Sequence, residues 1–383
     1  MQKPLPVAPI WVDTPASLAS TVSDLLKCQQ VAVDTESNSL YVYQEQVCLI
    51  QFSTESKDYL VDPLALSDLS SLGEVFSNPQ IEKIFHAAEY DIICLRRDFG
   101  FSFSNLFDTM TAARILGKPA VGLASMLEGE FQISLDKRYQ RANWGLRPIP
   151  RPMQTYACLD SHYLIALRNK LHQELVTYNL LRLAEEDFSR LALSQSAQVE
   201  DEPVSCWKVA RNQELTPRQT GVLQALCSFR DDLARQANVP PFRVLANDVL
   251  LEIALACPQN REELYKSARL PHRQMEEMGS GLLHAVQVGL KSTPPQRPAS
   301  NRPCEAYLNR LDALREWRKN AGRKAGVESD VILPKDVMEA IAAQNPRSVE
   351  ALAESMKSVP YRFERYGRQI LQILADVGLH SPA

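Results

Sequence analysis

The sequence predicts an α/β domain on a mixed sheet, followed by two small all-α helical bundles. Three observations carry that expectation. Short β-rich runs alternate with helical patterns through the first 190 residues. Beyond residue 205 the chain repeats itself at a constant offset of 88. The charge also changes character: residues 1–200 hold 17 Lys+Arg against 24 Asp+Glu, and the remainder 25 against 22. With 383 residues, 45% hydrophobic and 23% charged, and a net charge of −4, the chain is of ordinary globular composition and long enough for two or three domains.

In the first domain Gln30–Thr35 and Gln46–Phe52 are rich in strand formers. Lys57–Val61 follows after the Glu55-Ser56 turn, and three short strands in succession predict a meander. The apolar run Ile81–Phe85 predicts another strand among helical segments. A long helix from about Met153 to Val176 closes the domain.

The polar, aperiodic stretch Ser194–Pro203 and the Pro-rich stretch Ser292–Ser300 read as linkers, which sets domains at 1–200, 205–291 and 302–383. Across the second linker Leu226/Leu314, Arg230/Arg318, Arg235/Arg323, Asp248/Asp336, Ile253/Ile341 and Pro258/Pro346 match without a gap, and Phe229 faces Trp317. This is a duplicated domain. Val222, Leu223, Leu226, Phe229 and Leu233 recur at helical spacing, as do Leu308, Leu311, Leu314 and Trp317. A second helix is expected after Asn247 or Asp336, ending at Pro258 or Pro346. The Pro-rich linker implies that each copy has an independent core.

No apolar run reaches the roughly 20 residues of a membrane helix, and residues 1–6 lack the pattern of a secretory signal. The expectation is a soluble, cytoplasmic protein with no membrane association. The eight cysteines form no CxxC pair and read as reduced small hydrophobes.

Four acids carry the candidate chemistry. Asp34 and Glu36 stand two apart at the end of Val31-Ala32-Val33, so the strand period places both on the face of Ala32, where they can share a cation. Helical spacing puts Asp160 in one stripe with Tyr156, Tyr163, Leu164, Leu167 and Leu171, and Asp91 in another with Ala88 and Leu95. A carboxylate inside an apolar stripe needs a cationic partner. A solvated strand end, a cap or a salt bridge is the alternative for each acid taken singly.

Together, a strand-end Asp-x-Glu, a helical Asp after an apolar strand, and a final helical Asp preceded four residues earlier by Tyr156 resemble the DEDD family of 3′–5′ exonucleases, tyrosine type. Thr155 occupies the position where histidine-type relatives carry His. The stretches Phe107–Ala113 and Asn143–Pro148 are also similar to those of ribonuclease D-type nucleases, and the duplicated segments look like HRDC (helicase and RNase D C-terminal) domains. The resemblance implies a ribonuclease H-like exonuclease domain. It also implies catalytic residues Asp34, Glu36, Asp91, Tyr156 and Asp160, the four acids holding two divalent cations, Mg²⁺ or Mn²⁺. One departure is Ala87, where many relatives have Asn after the motif's His86; it puts a substrate contact in doubt.

The implied activity is metal-dependent removal of nucleoside 5′-monophosphates from an RNA with a free 3′ end, tRNA precursors among the candidates, with no obligate protein partner. A DNA proofreading or repair exonuclease, or a silent RNA-binding adaptor, are the competing readings. His86, Arg138, Arg141, Trp144 and Arg147 are candidate nucleic-acid contacts, since basic groups interleaved with aromatic faces can grip a single strand. Arg147 is the first choice for a phosphate, with Trp144 packing as core the alternative. Arg230, Arg235 and Arg243 on the first repeat, and Arg318, Lys319, Arg323 and Lys324 on the second, are weaker candidates.

Overall fold

The computed structural model describes residues 8–194, 205–211, 213–268, 270–297 and 303–380. One compact unit holds residues 8–37, 47–194 and 303–380; a second holds 38–46 and 205–297. Of the expected linkers, residues 195–203 and 298–300 lie outside the described residues.

The first unit opens with β1 (Ile10–Val12), α1 (Pro15–Leu25), β2 (Gln30–Ser37), β3 (Val47–Ser53), β4 (Asp58–Val61), α2 (Leu72–Ser77), β5 (Glu82–Phe85), α3 (Glu89–Phe99) and β6 (Leu106–Asp108). The chain continues through α4 (Thr109–Ile115), α5 (Leu123–Phe131), α6 (Arg151–His162), α7 (Leu164–Thr177) and α8 (Leu181–Ala192). The six strands form one mixed sheet in the order β1-β4-β3-β2-β5-β6. β2, β3 and β4 are the antiparallel meander; β5 and β6 extend it in parallel beside β2, and β1 pairs in parallel with β4.

Two layers of side chains clothe this sheet. Val31, Val33, Ile50, Phe52, Tyr59 and Val61 point into a core completed by α1, α2 and α3. On the other face Ala32 and Ile84 meet α4 and α7, while Leu49 and Leu60 meet Ala157 and Met153 of α6. The helix expected to run unbroken from Met153 to Val176 is interrupted at Tyr163, whose φ of −98° and ψ of 0° end α6. The break follows from packing, since α6 and α7 cover different clusters.

In the second unit the first repeat comprises α9 (Trp207–Ala210), α10 (Pro217–Ala237), α11 (Pro241–Val244), α12 (Asn247–Ala256), α13 (Arg261–Ala268) and α14 (His272–Lys291). The second repeat, in the first unit, comprises α15 (Glu305–Ala325), α16 (Ser329–Ile332), α17 (Lys335–Gln344), α18 (Val349–Ser355) and α19 (Pro360–His380). Helices α10 to α14 start at 217, 241, 247, 261 and 272, and α15 to α19 at 305, 329, 335, 349 and 360, each 88 later. Even the internal wiring is copied. Arg230 donates to the Leu245 carbonyl and Arg318 to the Leu333 carbonyl, both at 3.0 Å.

Burial corrects the expectation for Arg230, which also binds Asn247 and belongs to the scaffold. Arg235 and Arg243 are exposed and lie over the rings of Tyr43 and Tyr41. The Tyr43 hydroxyl donates to the Asp231 carboxylate at 2.8 Å, so the loop leaving β2 is fastened to the first repeat.

The second repeat has a core of its own, yet it is not independent of the nuclease domain. Arg362, with no exposed surface, donates to Glu186 (2.6 Å) and Asp187 (2.8 Å) of α8 and to the Val331 carbonyl. Val331, Val327 and Tyr361 join the cluster that holds Phe107, Leu167 and Phe188.

Candidate active site

Strand β2 alternates into both layers, and Asp34 and Glu36 continue the face of Ala32 toward α6 and α7. A register irregularity at Glu36/Ser37 ends regular pairing just past them. Helix α6 brings Asp160 over this face, with Tyr156 one turn earlier. Asp34, Glu36 and Asp160 each place a carboxylate oxygen within 4.8 Å of the other two. Asp91 comes from the first turn of α3, and its charge is felt at both Asp34 and Glu36.

Thr35, between the two strand acids, points the other way and donates its hydroxyl to Asp91. Its role was not legible beside two more conspicuous neighbours, although the spacing places it on the opposite face. The turn into α3 passes through Ala87 at φ +63°, a left-handed conformation that Asn tolerates better than Ala. The departure noted in the sequence therefore bears on backbone conformation as well as on substrate. Buried Asp108 fixes this turn by accepting from the Ala88 N–H at 2.8 Å and the Thr111 N–H at 2.6 Å.

His86 reaches the same cleft. Thr109 Oγ1 donates to the Phe85 carbonyl at 3.0 Å, so it accepts from His86 Nδ1 at 2.9 Å. This fixes the neutral tautomer with the proton on Nδ1, and burial lowers the imidazole pKa. His86, Tyr156 and the strand acids line a cleft of about 380 Å³ with Lys137, Gln140 and the start of α5. Arg138, Tyr139 and Tyr156 border an adjoining cleft of about 230 Å³.

Burial pushes Asp91 and Asp160 up to about 7. Asp34 and Glu36 are raised well above the usual carboxylate range, first by burial and then by neighbouring acids. Crowded, desolvated carboxylates of this kind fit divalent ions that prefer oxygen ligands. Burial also raises the Tyr156 hydroxyl pKa, followed by the effect of Asp160, to which that hydroxyl is bonded.

Two candidate nucleic-acid contacts belong instead to the scaffold. Trp144 is 1% exposed, packed with Tyr156 at 6.0 Å between ring centroids, so no base can stack on it. Arg147 spends its guanidinium on Asp62 at 2.6 and 2.7 Å and on the carbonyls of Cys48, Trp144 and Leu146. Arg138 is exposed and paired with Asp136, and Arg141 is exposed. His162, two residues past Asp160, is buried, its Nδ1 2.8 Å from Asp58.

A mixed six-stranded sheet with an acidic cleft, together with two copies of a helical domain, is also what comparison with known proteins picks out. Residues 9–176 match the 3′–5′ exonuclease family model, and residues 219–286 and 308–374 each match the HRDC domain. The chain is 36% identical over 265 residues to "Exosome complex exonuclease RRP6" of Saccharomyces cerevisiae, covering 65% of this chain and 36% of that protein. It is 30% identical over 300 residues to human "Exosome complex component 10", covering 73% of this chain and 34% of that protein. The chain thus spans about a third of the length of these curated relatives.

Among solved structures, the catalytic core of RRP6 from Trypanosoma brucei is 31% identical, with a TM-score of 0.67, over 76% of this chain and 83% of that one. Escherichia coli RNase D, 24% identical with a TM-score of 0.70 over 97% and 99%, shares the fold. The chain belongs to the RNase D-like DEDD family of 3′–5′ exonucleases that carry HRDC domains. Divalent-metal dependence is a property of that family. Among the described residues no helix is long and apolar enough to cross a membrane.

Proposed function

We propose that the chain is a 3′–5′ exoribonuclease, dependent on Mg²⁺ or Mn²⁺, that releases nucleoside 5′-monophosphates from structured RNA such as tRNA precursors in the cytoplasm. The observation that carries this reading is the convergence of Asp34, Glu36, Asp160 and Tyr156 on one cleft, with Asp91 held beside them by Thr35. Asp34, Glu36, Asp91 and Asp160 would hold two ions, which supply charge stabilisation for the attacking and leaving oxygens of an in-line displacement.

The chain's own groups do the positioning. The Tyr156 hydroxyl, kept protonated by burial, donates to Asp160 and offers its oxygen to a hydrogen of the attacking water. His86, with its second ring nitrogen free of a proton, can accept from a hydroxyl of the terminal ribose. Lys137 lines the cleft and can neutralise a phosphate.

The test is hydrolysis of matched RNA and DNA strands labelled at the 5′ end, with Mg²⁺, Mn²⁺ or chelator. A ladder that shortens from the 3′ end of RNA only, and only with metal, is expected. Equal trimming of DNA would reassign the substrate, and no trimming of either would leave an RNA-binding role.

A further inference from the structure

We propose that Gln51 is a positioning residue for the metal-holding carboxylates, its buried side-chain amide placed to bond the Asp34 carboxylate when that group holds a divalent ion. The inference rests on the metal-binding reading of the four acids. Gln51 has no exposed surface, and neither its amide nitrogen nor its amide oxygen has a hydrogen-bond partner. A buried unsatisfied amide is costly, so its presence in a strand that is buried along its whole length asks for a reason.

Register gives the reason. Gln51 on β3 is the direct cross-strand partner of Asp34 on β2, and Leu60 of β4 flanks it on the other side. Directly opposed residues in an antiparallel pair carry Cβ atoms about 4.5–5.5 Å apart on the same face, which puts the amide within reach of the Asp34 carboxylate. The neighbouring pairs confirm the face. Leu49 lies opposite Glu36, and Ser53, opposite Ala32, bonds Ser161 of α6 at 2.8 Å. Gln51 therefore lies between the strand that supplies two acids and the helix that supplies Asp160.

A carboxylate that commits one oxygen to a metal keeps lone pairs for a second donor, and such outer partners fix ligand orientation. With one oxygen on a metal, the Asp34 carboxylate can accept from the Gln51 NH₂ group directly across the strand pair.

The proposal predicts effects of opposite sign. Gln51→Met keeps the volume and removes both unsatisfied atoms, so its metal-free melting temperature should equal or exceed that of the wild type. Its affinity for Mn²⁺, measured by calorimetry on the full chain, should fall about 10–100-fold, and the Mg²⁺ midpoint for activity should move with it. Gln51→Leu serves as a second variant in case the longer side chain packs poorly. Unchanged Mn²⁺ affinity would overturn the proposal, as would affinity lost only in step with metal-free stability in both variants. If the wild type itself binds no divalent ion, the metal-site reading fails at that control, before either variant is compared.

Discussion

Replacing a buried acid by its amide removes a charge that the metal-free protein holds against its environment. Asp160 sits near pKa 7 in the fold, against about 3.9 in an unfolded chain. A raised folded value contributes stability that is fully present below the unfolded pKa and is lost as pH rises through the folded one. In chelator, Asp160→Asn should therefore melt above the wild type at pH 7.5, with the gap narrowing toward pH 4. The same variant should lose hydrolysis and the rise in melting temperature that divalent ions give the wild type. Wild-type turnover with Mg²⁺, or a melting difference that ignores pH, would contradict the four-acid site. Tyr156→Phe separates orientation from metal holding. It keeps the ring between Trp144 and Tyr139 but removes the hydroxyl, so Mn²⁺ affinity should persist while single-turnover cleavage slows about 10²–10⁴-fold. These residues were legible because a carboxylate in an apolar stripe contradicts its surroundings. Gln51 was not, since an amide within Val47–Ser53 gives no sign of whether it finds a partner.

At the scale of elements, the three-strand meander and β5 follow from runs of strand formers, whereas β1 and β6, with three residues each, are too short for periodicity to register. The segment 137–151 shows a different limit. Arginines interleaved with aromatics give the same pattern whether they grip a polymer or lock a loop. Here Arg147 ties the loop before α6 to β3 and to the residue after β4, through the Cys48 carbonyl and buried Asp62. Its removal leaves the Asp62 carboxylate without its cation. Arg147→Ala should cost about 2–3 kcal/mol in urea denaturation, and it should leave RNA affinity unchanged at temperatures where the variant is folded. A stability-neutral variant with weakened RNA binding would return Arg147 to the nucleic-acid surface.

Across the whole molecule, duplication was legible to the residue, but the different fates of the two copies were not. A sequence offset reports common structure and says nothing of what each copy touches. Position 362 is Arg where the first repeat has Gln274, and 328 and 330 are Glu and Asp where it has Pro240 and Phe242. All three acquired groups face the nuclease domain: Arg362 binds Glu186 and Asp187, and Arg114 of α4 binds Glu328 and Asp330. Breaking a buried ion pair from one side costs about 3–5 kcal/mol because the other charge is left stranded. Arg362→Met should therefore lower the unfolding free energy by about that much, and adding Glu186→Gln should restore part of it, the mark of direct coupling. Truncation before residue 303 leaves Glu186 buried or newly wetted without its guanidinium and strips Val331 and Tyr361 from a shared core. The truncated chain should then show a lower nuclease-domain melting temperature and lower activity even on a short unstructured oligonucleotide, with Glu186→Gln in the truncated background recovering part of the stability. Unimpaired melting and full activity on the short substrate would instead mean that the second repeat is an independent domain, as the Pro-rich linker alone would suggest.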